Sequence, residues 1–326
     1  MVKILILGSN SFAGSCLVDY LLNKNFHVFG ISRSKENNIK YKKNKKIKNF
    51  KFIRTDINKD LIKIEKIIDN NKFSLIIDFL GQGMVAESWD NADQWFKTNV
   101  YNKIKLIDIL SKKKFLKKYI RISTPEVYGS SKYKIKENSN FNPSTPYALT
   151  HSTIDQYLKL SFKKNRLPYV VLRFSNFYGE TQPIYRIIPK TIISIIKGKK
   201  LPLHGGGNSL RSFIYIDDFC SAIYKAISKS KIGEIYNVSS DEIITIKNLI
   251  KKICLKMNKK FSEVVYIEKD RPGKDQKYFM DNTKVKKYLN WKNRINLDKG
   301  LDKVISWQIL NKKKLIHLKT HYTHKQ

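Results

Sequence analysis

Two short stretches of the sequence carry residue types that do chemistry together. Ser123-Thr124-Pro125-Glu126-Val127-Tyr128-Gly129 follows the apolar run Tyr119-Ile120-Arg121-Ile122. It therefore sets a hydroxyl and a carboxylate at the carboxyl end of a buried strand, the edge where open α/β sheets hold their ligands. Tyr147-Ala148-Leu149-Thr150-His151 then opens a helix with a phenol and places His151 four positions later on the same face. Thr124, Glu126, Tyr147 and His151 are the candidate catalytic residues. A hydroxyl, a carboxylate and a phenol converging beside a dinucleotide suit hydride transfer coupled to proton transfer.

The elements that must position them alternate strand and helix. Residues 2–7 read as a buried parallel strand, followed by Gly8-Ser9-Asn10-Ser11-Phe12-Ala13-Gly14 and the amphipathic helix 15–23. A strand, a glycine turn and a helix N-terminus make an anion site for a pyrophosphate, which assigns Gly8, Ser11, Phe12 and Gly14 to a cofactor. Ser11 stands where the usual middle glycine would be, and a tight turn with no ligand is the alternative. A second strand, 27–32, ends in Ser32-Arg33-Ser34 rather than in the carboxylate that bonds an NAD ribose. Ser32 and Arg33 better suit a 2′-phosphate, so NAD(P) is expected, with NADP slightly favoured over NAD.

Strand 50–54 leads to Asp56 and Ile57 at an adenine position, and strand 74–80 ends at Leu80 and Gly81. Gln82 and Met84 follow in an irregular active-site loop. A long helix over 91–113 carries Asn99, either at the cofactor or bonding main chain. Ser123, Tyr147 and His151 complete the cofactor set. Six alternations of strand and helix up to residue 174 argue for an α/β fold with a doubly wound parallel sheet. Gly and Pro then become frequent and the alternation lapses. The expected organisation is a dinucleotide-binding domain over 1–178, with 212–238 returning to it. Residues 179–211 and 239–310 form a smaller lobe, and 311–326 a basic tail.

The formal charge of +37 is spread along the whole chain, with no recognition-helix motif and no aromatic residues interleaved with the basic runs. Nucleic acid is therefore not expected as a partner, whereas an anionic substrate is favoured by the same field. No apolar run approaches the ~18 residues of a membrane span, and a cytoplasmic protein is expected. Cys16, Cys220 and Cys254 lack metal-ligand spacing and read as buried thiols. His317, His321 and His324 read as part of a frayed terminus rather than a metal site. Gly205-Gly206-Gly207 reads as a loop, not a phosphate cradle.

Several further motifs occur in order: Pro143-Ser144-Thr145-Pro146-Tyr147, Arg173-Phe174-Ser175-Asn176-Phe177-Tyr178-Gly179, the run from Arg211 to Asp218, and Arg271-Pro272-Gly273-Lys274-Asp275-Gln276-Lys277-Tyr278. With Ser-Thr-x-Glu-Val-Tyr-Gly at 123–129, the chain resembles the extended short-chain dehydrogenase/reductase family almost to Trp307. Within that family it is most similar to the nucleotide-sugar 4,6-dehydratases. The resemblance implies a Rossmann doubly wound sheet with a smaller mixed α/β C-terminal substrate lobe, a nucleoside diphosphate sugar as substrate, and a homodimer built on helices near 91–113 and 146–164.

It also implies roles. Tyr147 takes the sugar 4-hydroxyl proton as hydride leaves C4, Thr124 bonds the C4 oxygen, and Glu126 takes the C5 proton before water leaves from C6. Asn176, Arg211 and Arg271 would hold the diphosphate, with Gln82, Met84 and Tyr278 also at the substrate. The chain departs from the family pattern at three places. His151 replaces the lysine of Tyr-x-x-x-Lys, Pro125 replaces an acidic residue, and Met84 replaces a histidine. A 4-epimerase or reductase on the same scaffold, and a non-catalytic dinucleotide-binding protein, are the alternatives.

Overall fold

Short runs rich in Ile, Leu and Val that are apolar on both faces must lie between two layers of other elements. The computed structural model describes residues 2–36, 41, 44–270 and 275–324. Its strands are β1 (Lys3–Leu7), β2 (His27–Ser32), β3 (Phe50–Arg54), β4 (Leu75–Asp78), β5 (Lys118–Ser123), β6 (Tyr169–Phe174), β7 (Asn176–Tyr178), β8 (Leu201–His204), β9 (Leu210–Tyr215), β10 (Ile235–Val238), β11 (Ile243–Thr245) and β12 (Val265–Glu268). Seven of them form one sheet in the order β3-β2-β1-β4-β5-β6-β10, every pairing parallel. The winding reverses between β1 and β4, which is the Rossmann arrangement and places a ligand crevice at that switch point. β9 pairs with β7 and β11, and β12 with β8, in two small sheets built from the later part of the chain.

Alternate residues of β1 show how the sheet is covered. Ile4 and Ile6 pack with Leu17, Leu21, Phe219 and Ile223 of helices Phe12–Asn23 and Ile216–Lys229. Leu5 and Leu7 pack on the other face with Ile64, Ile68, Leu106, Ile154 and Leu158 of helices Leu61–Asn71, Asn102–Ser111 and Pro146–Asn165. Each fully buried aliphatic side chain stabilises the fold by roughly 1.5–3 kcal/mol. The strand expected over 74–80 stops at Asp78, whose Oδ1 accepts the Leu80 amide at 2.8 Å and turns the chain. The helix expected over 91–113 is divided. A π-helical turn, Phe96–Tyr101, separates Ala92–Trp95 from Asn102–Ser111 and carries Thr98 and Asn99. Cys16, Cys220 and Cys254 are buried free thiols, and among the described residues no helix is long and apolar enough to cross a membrane.

Candidate active site

The first glycine turn is shaped by two close approaches. Gly8 adopts φ +84°, which favours glycine, and a Cβ on Gly14 would lie 2.4 Å from the Gly8 carbonyl oxygen. Ser11 takes the N-cap of helix Phe12–Asn23 and accepts the Gly14 amide at 3.0 Å. Gly14 thus serves the contact between helix and strand, and Phe12 stacks on Phe177 with ring centroids 6.1 Å apart. Neither lines the cleft in the way the sequence suggests. Gly8, Ser11, Ser32, Arg33, Asp56, Ile57, Leu80 and Gly81 do line it, around a volume of about 510 Å³. The cleft also holds Thr55, whose buried hydroxyl has no partner. A helix N-terminus, a glycine turn and an elongated cleft at the switch point fit a dinucleotide.

Thr124 and Tyr147 are held by the starts of their own helical turns. Thr124 is extended and caps the 3₁₀ turn Pro125–Tyr128, with Pro125 in the first position, where its missing N–H costs nothing. Its hydroxyl donates to Glu126 Oε2 and favours ionisation of the nearby Tyr147 phenol. Thr145 caps helix Pro146–Asn165, so Tyr147 lies in its first turn, one turn before His151; the two rings are 4.5 Å apart. Burial, then the Glu126 charge, pushes the Tyr147 phenol well up, and burial raises the Glu126 carboxyl. His151 is held well below its ordinary value by burial and by the Arg121 and Lys103 cations. It is a neutral imidazole at physiological pH.

Glu126 also faces a second cavity of about 230 Å³, shared with Asn176, Arg211, Tyr278 and Asp275. Arg211 stacks on the Tyr278 ring, 4.3 Å from its centroid, and its Nη2 donates to the Asp275 carbonyl at 2.7 Å. Arg271 lies outside the described residues. Gln82 and Met84 line the dinucleotide cleft rather than this cavity, Met84 with φ +77°. The Ser123 hydroxyl donates to buried Asp155 at 2.9 Å, away from the expected cofactor role. Asn99 accepts the Gln82 amide at 2.6 Å and donates to its carbonyl at 3.2 Å, so its side chain is committed to main chain.

Gly207 and Arg186, which the sequence did not single out as site residues, border these cavities, as does His204. Gly207 and His204 line the smaller one, and a Cβ on Gly207 would come 2.9 Å from the Lys247 amide. The triple-glycine loop is therefore a wall of the site. Arg186 lines the larger cleft, and its positive charge favours ionisation of both Glu126 and Tyr147. The tail corrects an expectation outright. Leu315 is buried with Ile184 and Ile193, Tyr322 packs edge-on to Tyr185, and His324 stacks on buried Trp95 at 5.2 Å. His324 Nε2 also lies 2.8 Å from Gln94 Oε1, so the terminus is docked rather than frayed, with His321, Tyr322 and Thr323 on the cleft wall.

A family model described as GDP-mannose 4,6 dehydratase matches residues 5–304. The chain belongs to that family. A probable dTDP-glucose 4,6-dehydratase of Sinorhizobium fredii is 28% identical over 328 residues, covering 95% of this chain and 93% of the relative. Among solved structures, a dTDP-glucose 4,6-dehydratase of Bacillus anthracis in complex with NAD superposes with a TM-score of 0.86 at 26% identity, covering 96% of this chain and 98% of that one. A UDP-glucuronic acid 4-epimerase of Bacillus cereus, in complex with UDP-glucuronic acid and NAD, gives 0.85 at 26% identity, with 95% and 100% covered. The same scaffold thus occurs in solved proteins named as a dehydratase and as an epimerase.

Proposed function

We propose that the protein is a nucleotide-sugar 4,6-dehydratase in which Tyr147 and Glu126 divide the proton transfers. The observation that carries this reading is the Thr124 hydroxyl, which donates to the Glu126 carboxylate and is close enough to the Tyr147 phenol to favour its ionisation. When bound, the nicotinamide supplies the hydride acceptor for C4 and the donor that returns the hydride to C6. Tyr147 accepts the 4-hydroxyl proton, and Thr124 holds the C4 oxygen. The C4 ketone acidifies C5, whose proton passes to Glu126. With proline at 125, Glu126 then gives that proton to the departing 6-hydroxyl, so water leaves. As the hydride returns to C6, C5 takes a solvent proton relayed through Glu126, and Tyr147 releases the 4-hydroxyl proton to solvent. A carboxyl raised by burial suits both the taking and the giving. Arg211, Asn176 and the tyrosine at 278 border the cavity in which a nucleoside diphosphate would lie; Arg211 supplies a guanidinium fork for phosphate oxygens. Incubation with NAD(P)+ and a panel of nucleoside diphosphate hexoses should yield a product lighter by one water. Intact masses throughout would refute it.

A second reading, 4-epimerisation, is favoured by Pro125 and by the similarity to the Bacillus cereus epimerase. It predicts altered stereochemistry at C4 with unchanged mass. For the cofactor, Ser32, Arg33 and Ser34 border the cleft, and the first acidic residue after them in sequence, Glu36, accepts a hydrogen bond from Tyr41 at 3.3 Å. That arrangement supports NADP over NAD, tested by the ratio of their dissociation constants. Exposed Phe96 and Tyr101 on one helical segment, with Leu149 and Leu160 on helix Pro146–Asn165, support a homodimer through these helices. Sedimentation of the Leu160→Lys variant tests it.

A further inference from the structure

Tyr147 cannot serve as a proton acceptor near neutral pH without positive charge close to it, since a free phenol titrates near pH ~10. The side chain placed to supply that charge, His151, is neutral. Arg186 supplies positive charge from the cleft wall, and the core beneath the two rings supplies more. Asp78 at the end of β4, Lys103 on helix Asn102–Ser111, Arg121 on β5, Asp155 on helix Pro146–Asn165 and Arg173 on β6 form one buried ionic cluster. Three cations face two carboxylates, leaving one net positive charge.

The geometry shows which cation holds that excess. Asp78 Oδ2 is taken by Lys103 Nζ at 2.5 Å and by the Tyr119 hydroxyl. Asp155 Oδ2 is taken by Arg173 Nε at 2.9 Å and by Ser123 Oγ at 2.9 Å. Arg121 stands 3.9 Å from Asp78 and 3.6 Å from Asp155, beyond hydrogen-bond reach of either, and its Nε has no hydrogen-bond partner. Its Nη2 lies 3.2 Å from His151 Nδ1. A guanidinium can only donate, so Nδ1 accepts, and the imidazole proton is on Nε2.

We propose that Arg121 is the buried fixed cation of this site, complementing Arg186 on the cleft side and acting on Tyr147 through the neutral, tautomer-locked ring of His151. Arg121 is a positioning and charge-supplying residue rather than one that touches substrate. The groups facing His151 are Arg121 and Lys103 as cations, Tyr147 on its own helix, and Asp78 and Asp155 behind the arginine. Neither carboxylate offers the ring a hydrogen bond that would recharge it. In this arrangement a lysine at position 151 would bring a third cation against Arg121 and Lys103, so His151 is the residue that an arginine at 121 tolerates.

The proposal rests on the dehydratase reading for its kinetic consequence but not for its direct test. Nitrogen-15 spectra of histidine-labelled ligand-free protein should show His151 neutral, with its proton on Nε2, throughout the range in which an ordinary imidazole titrates. Carbon-13 spectra of labelled tyrosine, assigned with Tyr147→Phe, should show the phenol titrating about one unit higher in Arg121→Gln, which keeps a donor but removes the charge. Arg121→Lys should restore most of that shift. With substrate, Arg121→Gln should lower kcat about tenfold at neutral pH and move the acid limb of its pH profile, set by Tyr147 ionisation, up by the same unit, with KM little changed. Adding His151→Lys to Arg121→Gln should recover rate, whereas His151→Lys alone should not increase it. An imidazolium at pH 7, or a Tyr147 titration unaltered in Arg121→Gln, overturns the proposal. If Arg121→Gln fails to fold, the histidine spectra of the unaltered protein still decide it. If no nucleotide sugar reacts while both spectra behave as expected, the functional reading fails and the charge assignment stands.

Discussion

Replacing Glu126 with glutamine separates the two halves of the proposed reaction. Glutamine has nearly the same shape and still accepts the Thr124 hydroxyl through its amide oxygen, so the contact between Thr124 and residue 126 survives. Tyr147 keeps its place in the first turn of its helix. What is lost is the base at C5 and the acid for the departing hydroxyl. Removing a positioned general acid–base group lowers rate by about 10²–10⁴-fold, or about 3–5 kcal/mol of barrier. Oxidation at C4 needs Tyr147 and Thr124 only, so it should persist in Glu126→Gln. The assay is a single turnover. Nicotinamide absorbance should rise and remain, while product mass is unchanged and, in heavy water, no deuterium enters C5. The unaltered protein should show transient absorbance, C5 deuteration and loss of one water. Dehydration by Glu126→Gln within tenfold of the unaltered rate would refute the assignment of Glu126.

The same substitution has a stability signature of defined sign. Burial raises the folded carboxyl above its unfolded value. Such a group contributes stability below its unfolded pKa, and that contribution is lost as pH rises through the folded value. Glu126→Gln does not ionise, so its melting temperature should exceed that of the unaltered protein at neutral pH. The gap should close in acid. A site that destabilises its own fold in order to keep a carboxylate is consistent with function rather than packing.

Three other outcomes are expected. Removing residues 319–326 takes away the ring stack of His324 on Trp95, worth about 0.5–1.5 kcal/mol, and should red-shift tryptophan fluorescence by wetting that buried indole; an unchanged spectrum argues against the docked tail. Arg33→Ala should weaken NADP by about 1.5–3 kcal/mol while leaving NAD nearly unaffected, measured by calorimetry; equal losses for both dinucleotides would contradict the 2′-phosphate role. Gly14→Ala forces a methyl against the Gly8 carbonyl and should cost about 1–3 kcal/mol of stability in chemical denaturation, because backbone must move; a neutral result would mean that the turn yields easily.

Which of these features the sequence discloses depends on how local the responsible physics is. The parallel sheet is legible because strands buried on both faces have to be continuous apolar runs, as in Ile4-Leu5-Ile6-Leu7 and Tyr169-Val170-Val171-Leu172. The placement of Thr124 and Tyr147 is legible because Thr-Pro marks a helical start, and both Thr124-Pro125 and Thr145-Pro146 have that form. The π-helical turn at Phe96–Tyr101 leaves no comparable local mark. Neither does the destination of the tail, since the partners of His324 and Tyr322 lie at Trp95, Gln94 and Tyr185.

The ionic cluster is the sharpest example, because each of its members looks like an anomaly when read alone. Arg121 and Arg173 interrupt strands that are otherwise apolar, and Lys103 sits at a buried helical position. Strand register resolves the anomaly. Asp78 is paired with Arg121 across β4 and β5, and Ser123 with Arg173 across β5 and β6. Charges scattered over some hundred positions thereby meet under one imidazole. An ion buried without a partner is costly, so the cations in these strands require the carboxylates at 78 and 155. The one charge left over is then a property of the assembled sheet. Lys103 adds a pH dependence to it: burial lowers its ammonium to about 8. Below that value the cluster carries its excess charge; above it, deprotonation of Lys103 leaves Asp78 to draw on Arg121. Phenol ionisation at Tyr147 favours high pH while its supporting charge is lost there, so catalysis should pass through a maximum near the Lys103 titration. Lys103→Met should remove the alkaline side of that maximum, and a profile that keeps both limbs in this variant would exclude Lys103 as their source.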